Sequence, residues 1–187
     1  MDPLVGRSVL HTVIATTAFD PTAIEATPRS VLAAATLVST VLFGGFIMYR
    51  YGGRLDAGID ASMERPLLSV VYGIVSYSIV VFVVGYAYSQ LLRIGVTSMA
   101  VSLLLTGVFA VIVLSISGAG FVVTGTWLTR AVGIGDPWLG LIGLGIVSAI
   151  AWLVLPLAIG LAVWGGISAI GVGGPARLWF NATAGDY

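Results

Sequence analysis

Long apolar runs separated by short polar stretches dominate this chain. The first run, residues 30–48, has no charged residue, and it lies between Arg29 and the sequence Tyr49-Arg50-Tyr51. About 20 apolar residues suffice for a helix to cross a bilayer, and aromatic and cationic residues suit the headgroup zone at its ends. The pattern therefore predicts a first membrane span at residues 30–48.

Two more apolar runs follow a charged connection. The connection, residues 52–65, contains five charged residues, and the runs after it cover residues 67–89 and 99–127. In lipid every backbone polar group must be bonded internally, and these runs lack the alternation of apolar and polar residues that is typical of a barrel. We therefore predict helices, with a tight turn near Arg93 between the second and third spans.

The last apolar run, residues 138–174, is too long for one straight span, because at ~1.5 Å per residue it would exceed a ~30 Å hydrocarbon layer. Pro156 and Gly160 are the predicted helix break. Two outcomes are open: one full span with an interfacial or re-entrant continuation, which we favour, or two short spans.

The whole pattern predicts an all-α, polytopic membrane protein with about four transmembrane helices and a broken last helix. We divide it into an N-terminal segment at residues 1–29 that lies on the membrane as an interfacial helix, a helical transmembrane domain at residues 30–174, and a polar C-terminal tail at residues 175–187.

Composition supports the membrane class and excludes several kinds of chemistry. Hydrophobic residues make up 58% of the chain and charged residues 9%, far from the balance of a water-soluble domain. With no cysteine, one histidine and a formal net charge of zero, the chain predicts no metal site, no cofactor and no nucleic-acid partner. No catalytic serine elbow or carboxylate pair lies in a span, so we expect no catalytic residue and no enzyme.

Small residues cluster in the last apolar run. Glycine permits two membrane helices to approach closely, so we predict packing or self-association faces there. The candidate residues are Gly140, Gly143, Gly145, Gly165 and Gly166. An alternative use of small polar residues is a path for a solute past Ser76, Ser115 and Ser117.

Arginine placement predicts the orientation. Arg50, Arg54 and Arg65 favour a cytoplasmic connection between the first two spans, whereas Arg29 precedes the first span on the other side. This places the N-terminus outside, and with four spans the C-terminus would also be outside. The sequon that begins at Asn181 would then face the exterior.

From Arg50 onward the sequence resembles the helical membrane region of haloarchaeal proteins whose outer part is a bactofilin-like, polymer-forming β-helix. The shared features are an Arg-bearing connection, Arg65-Pro66-Leu67-Leu68 before a span, a Leu92-Arg93-Ile94-Gly95-Val96 turn, and Asp136-Pro137-Trp138-Leu139 before a glycine-rich span. The β-helix repeats are absent from these 187 residues. The resemblance implies a membrane anchor or interaction module of an archaeal-type cell envelope.

Together these patterns predict a non-enzymatic integral membrane protein. Its expected partners are the lipid bilayer and either a second copy of the chain or an envelope or cytoskeletal protein. The alternative function, from another class, is a small channel or transporter component that uses the serine path.

Overall fold

The computed structural model of the chain describes residues 27–54, 56–93 and 99–184, and these residues form helices joined by short connections. The helices are α1 (Arg29–Tyr51), α2 (Asp56–Glu64), α3 (Pro66–Arg93), α4 (Met99–Ala131), α5 (Pro137–Val154) and α6 (Leu157–Ala184), and a 3-10 turn, Gly52–Arg54, precedes α2. The predicted all-α membrane class is confirmed. The predicted interfacial helix within residues 1–29 lies almost wholly outside the described residues.

The number of candidate spans differs from the prediction. Within the described residues, five helices, all except α2, are long and apolar enough to cross a membrane, whereas the sequence pattern predicted about four. The helix is interrupted at Leu155 and Pro156, so that α5 has 18 residues and α6 has 28. The last apolar run therefore forms two helices of spanning length, which was the less favoured alternative.

The last helix also extends beyond the predicted boundary at Gly174. It continues through Pro175 to Ala184, so most of the predicted polar tail belongs to α6. A proline inside a helix removes one hydrogen bond and needs room for its ring. Gly58 on α2 gives that room, because a Cβ at Gly58 would lie 2.7 Å from the Pro175 ring.

Helix α4 lies at the centre of the bundle. It packs against α1, α5 and α6, while α3 packs mainly against α6. The consecutive helices α3 and α4 make little direct contact, so they do not form the packed hairpin that short connections normally indicate. Between α4 and α5 the core contains Phe121, Val122, Leu141 and Leu144.

Close backbone approach explains why α6 packs against both α3 and α4. A Cβ at Gly73 of α3 would clash with the backbone of Ala169, and a Cβ at Gly120 of α4 would clash with the backbone of Ser168. Small residues let membrane helices approach to backbone contact, which increases their van der Waals attraction. The glycines thus favour α6 as the neighbour of both helices.

The connection between α4 and α5 depends on two glycines with positive φ, Gly133 at 77° and Gly135 at 68°. Glycine adopts this conformation without the steric cost that a Cβ would add. Asp136 then caps α5 by accepting a hydrogen bond from the Trp138 backbone N–H at 2.9 Å, with Pro137 in the first turn. The Gly-x-Gly-Asp-Pro sequence therefore fixes both the end of one helix and the start of the next.

Candidate interaction surfaces

Helix α2 forms a charged cap over one end of the bundle. Its three acidic residues, Asp56, Asp60 and Glu64, are four positions apart and share one helix face. Arg130 at the end of α4 lies 2.6 Å from Asp56 and 3.6 Å from Asp60, measured from its guanidinium nitrogens to the carboxylate oxygens. We call the side of the bundle that carries α2 the loop side, and the other side the far side.

A second ion pair joins the cap to α6. Arg177 donates a hydrogen bond from Nη2 to Oε2 of Glu64 at 3.1 Å, and the Arg177 side chain is only 11% exposed. This pair places the end of α6 on the loop side. The four-span prediction puts Asn181 on the side opposite the connection of residues 52–65, whereas the structure has five candidate spans and brings the end of α6 beside that connection.

Sequence reasoning did not pair Arg130 or Arg177 with the connection of residues 52–65. The i, i+4, i+8 spacing of the acidic residues was the signal that could have revealed the cap, because it places three carboxylates on one face of a short helix. The opposite face buries Gly58, Ile59, Ala61 and Ser62 against the bundle.

The arginines predicted to mark the connection occupy three different elements. Arg50 lies in the last turn of α1, with its guanidinium carbon 5.5 Å from the Tyr51 ring centroid, a distance that allows a cation–π interaction. Arg54 ends the 3-10 turn, and Arg65 lies exposed between α2 and α3. All three are therefore on the loop side.

The predicted packing glycines divide into two groups. Gly140 meets the backbone of Gly125, and Gly145 faces Leu37 and Thr40 of α1. A Cβ at Gly143, Gly165 or Gly166 would have no atom within 4 Å. The first group packs helices within the chain, whereas the second leaves open surface.

Other glycines make contacts that sequence reasoning missed. Gly173 and Gly174 would each place a Cβ against neighbouring backbone, and Gly73 does the same across the α3–α6 contact. The dense Gly-Val-Gly-Gly sequence of residues 171–174 was a usable signal. No such signal marks Gly73, because nothing in its local sequence distinguishes it from Gly85, which is exposed on the same helix.

The predicted break residue Gly160 lies inside α6. A Cβ there would be 3.4 Å from the Trp152 ring, which is ordinary contact. Gly160 therefore supports packing between α5 and α6, while Leu155 and Pro156 form the break.

Two of the three serines proposed for a polar path are bonded to protein groups. Ser76 Oγ donates to the Tyr72 carbonyl at 2.8 Å, and Ser117 Oγ lies 2.7 Å from the Tyr77 hydroxyl. The Tyr77–Ser117 hydrogen bond links α3 to α4. Ser115 is half-buried.

Exposed apolar side chains occur on every helix of spanning length, and two apolar surfaces bear on function. The first, the α3–α4 end, comprises residues 79–87 of α3 and 100–112 of α4; its exposed members include Phe82 at 73% and Leu104 at 65%. The second, the α3–α6 cleft, is a cavity of about 500 Å³. It is lined by Val70, Ile74, Tyr77, Ser78, Leu161, Ala162, Trp164, Gly165, Gly166 and Ala169.

Within the part of the chain that the structure describes, no group of three His, Asp or Glu side chains could hold a metal ion. Comparison of the chain with protein-family models, curated proteins and solved structures returns no match. The resemblance to the bactofilin-like membrane region therefore stays a prediction, and the surfaces above carry the functional argument.

Proposed function

We propose that this chain is a non-enzymatic integral membrane module that serves as an anchor or assembly partner in the cell envelope. The observation that carries the proposal is the α3–α4 end. There two long helices continue past the start of α6 and present apolar side chains that no other described helix covers.

Helix length supports a protein partner at this end. Helix α4 has 33 residues, so at ~1.5 Å per residue it measures about 50 Å, more than the ~40–45 Å of a bilayer with its headgroups. Leu103 and Leu104, near its first turn, are 59% and 65% exposed. Apolar side chains at or beyond the headgroup zone are stabilised when a partner removes them from water.

The charged cap supports a defined orientation. Five of the eight arginines, Arg50, Arg54, Arg65, Arg130 and Arg177, belong to the loop side. The excess of arginine at cytoplasmic membrane borders favours a cytoplasmic loop side. In this orientation the start of α1 and the α3–α4 end face the exterior, and the end of α6 faces the cytoplasm.

The serine path of the channel alternative has less support. Ser76 and Ser117 already bond to protein groups, and the α3–α6 cleft has an almost wholly apolar lining. A solute path needs polar groups that can replace the water around the solute. These observations favour the anchor over the channel.

Site-specific photocrosslinking in native membranes tests the proposal. A benzophenone side chain at Leu104 is expected to give a reproducible protein adduct, either with an envelope protein or with a second copy. Val147 on α5, which is 52% exposed, is the matched control on another surface. No protein adduct at Leu104, or the same adducts at both positions, would contradict the proposal.

A further inference from the structure

The α3–α6 cleft exists because two helices approach closely at one level and leave a gap at another. They meet where Gly73 faces Ala169 and where Gly173 faces Ser69, with no room for a Cβ at either glycine. Toward the far side, Gly165 and Gly166 present no side chain, and a Cβ there would meet no atom within 4 Å. The resulting cavity has a volume of about 500 Å³.

The chemistry of the lining selects an apolar ligand. Val70, Ile74, Leu161 and Trp164 contribute apolar side chains to the wall, and the Tyr77 hydroxyl lies 2.7 Å from the Ser117 hydroxyl. The volume lies within the ~300–1,000 Å³ that is typical of small-molecule sites. A wall with so few free polar groups offers little hydrogen bonding to water or to a polar solute, so it favours an apolar ligand.

The position of the cleft identifies where that ligand comes from. Its residues lie within two candidate spans, Pro66–Ala87 and Leu157–Asn181. Ile74 and Leu161, which line the cleft, are 55% and 53% exposed, so the cleft opens on the apolar surface of these two helices. Hydrocarbon is therefore the medium at the opening.

We propose that the α3–α6 cleft binds one hydrocarbon chain of a membrane lipid. A chain in the cleft contacts protein on several sides, whereas a chain on a convex helix surface contacts it on one side. Each added pair of atoms gains a little dispersion energy, and the sum favours the enclosed position. The bound lipid stays with the protein when lipids on the outer surface are removed by detergent.

Lipid counting after reconstitution tests this site. The full chain is placed in nanodiscs of palmitoyl-oleoyl phosphatidylglycerol, released into detergent and measured by native mass spectrometry. Gly165→Leu fills the cleft, so it is expected to carry one lipid fewer than the unchanged chain. Gly143→Leu makes the same change at an open glycine of α5 outside the cleft, and it is expected to retain the lipid.

Equal lipid counts for all three proteins would overturn the proposal. A dimer that Gly165→Leu converts to a monomer, without any difference in lipid, would also overturn it, because a second copy would then be the occupant. Both results leave the anchor proposal untouched, since that proposal depends on the α3–α4 end.

Trp164 gives a second measurement that needs no change in the cleft glycines. In vesicles whose phosphatidylglycerol carries brominated acyl chains, Trp164 fluorescence is expected to be quenched. The fluorescence of Trp164 is obtained by subtracting the fluorescence of the Trp164→Phe variant from that of the unchanged chain. An unquenched Trp164 would overturn the proposal even if Gly165→Leu failed to fold.

Discussion

Arg177 near the end of α6 donates a hydrogen bond to Glu64 at the end of α2, with Nη2 and Oε2 3.1 Å apart. The two residues are 113 positions apart in the sequence. Because α2 follows α1 and Arg177 lies near the end of the fourth candidate span after α2, the pair brings both ends of this segment to the loop side of the bundle. We therefore predict an even number of membrane crossings between α2 and the end of α6.

Single-cysteine labelling is expected to show this topology. The chain has no cysteine, so Ser30→Cys, Gly53→Cys and Asn181→Cys can each be labelled separately with a membrane-impermeant maleimide. Gly53→Cys and Asn181→Cys should react from the same side, and Ser30→Cys from the other. Four spans would instead group Asn181→Cys with Ser30→Cys, which would refute the arrangement described here.

Glu64→Ala is expected to destabilise the protein more than Asp60→Ala. Loss of Glu64 leaves Arg177, with a side chain 11% exposed, without its carboxylate, whereas Asp60 is 69% exposed and lies 3.6 Å from Arg130. We expect Glu64→Ala to lower the free energy of unfolding by about 1–2 kcal/mol, a loss between those typical of exposed and of buried ion pairs. Asp60→Ala should lower it by about 0.5 kcal/mol or less. Reversible unfolding in mixed micelles measures both, and equal losses would show that the burial of Arg177 has no energetic effect.

Gly73→Ala should separate α3 from α6, because the new Cβ would clash with the Ala169 backbone. Overpacking of this kind costs about 1–3 kcal/mol. Gly85→Ala on the same helix meets no atom within 4 Å, so it should be neutral or add up to about 1 kcal/mol through helix propensity. The midpoint of unfolding in denaturant gives the comparison, and a stable Gly73→Ala protein would contradict the close contact.

Tyr77→Phe and Ser117→Ala should each cost about 0.5–1.5 kcal/mol, because either change removes the hydrogen bond between α3 and α4. The double variant should lose less than the sum of the two single changes, since both remove the same bond. A double-mutant cycle on the free energy of unfolding measures this coupling. Additive losses would mean that the two hydroxyls do not stabilise each other.

Local patterns were enough to predict much of the fold. Apolar runs of bilayer length indicated helices at residues 30–48, 67–89 and 99–127, and Pro156 marked the division of the last run. These features depend on the length and hydropathy of a segment, which each segment carries by itself. The position at which a helix ends depends less on local sequence. Helix α6 continues through Pro175 because Gly58 of another helix makes room for the proline ring.

The sequence by itself determined that the chain is helical and suited to a membrane, because a bilayer selects long apolar segments whatever their neighbours are. Only the tertiary structure decided that α3 packs mainly against α6 and not against α4, that Arg177 meets Glu64, and that Gly73 packs while Gly85 remains open. The physical reason is that lipid tails are as apolar as the helices, so hydropathy contributes little free energy to the packing of one helix against another. Which helices pack together depends on the shape of their surfaces and on a few polar contacts between residues far apart in the sequence.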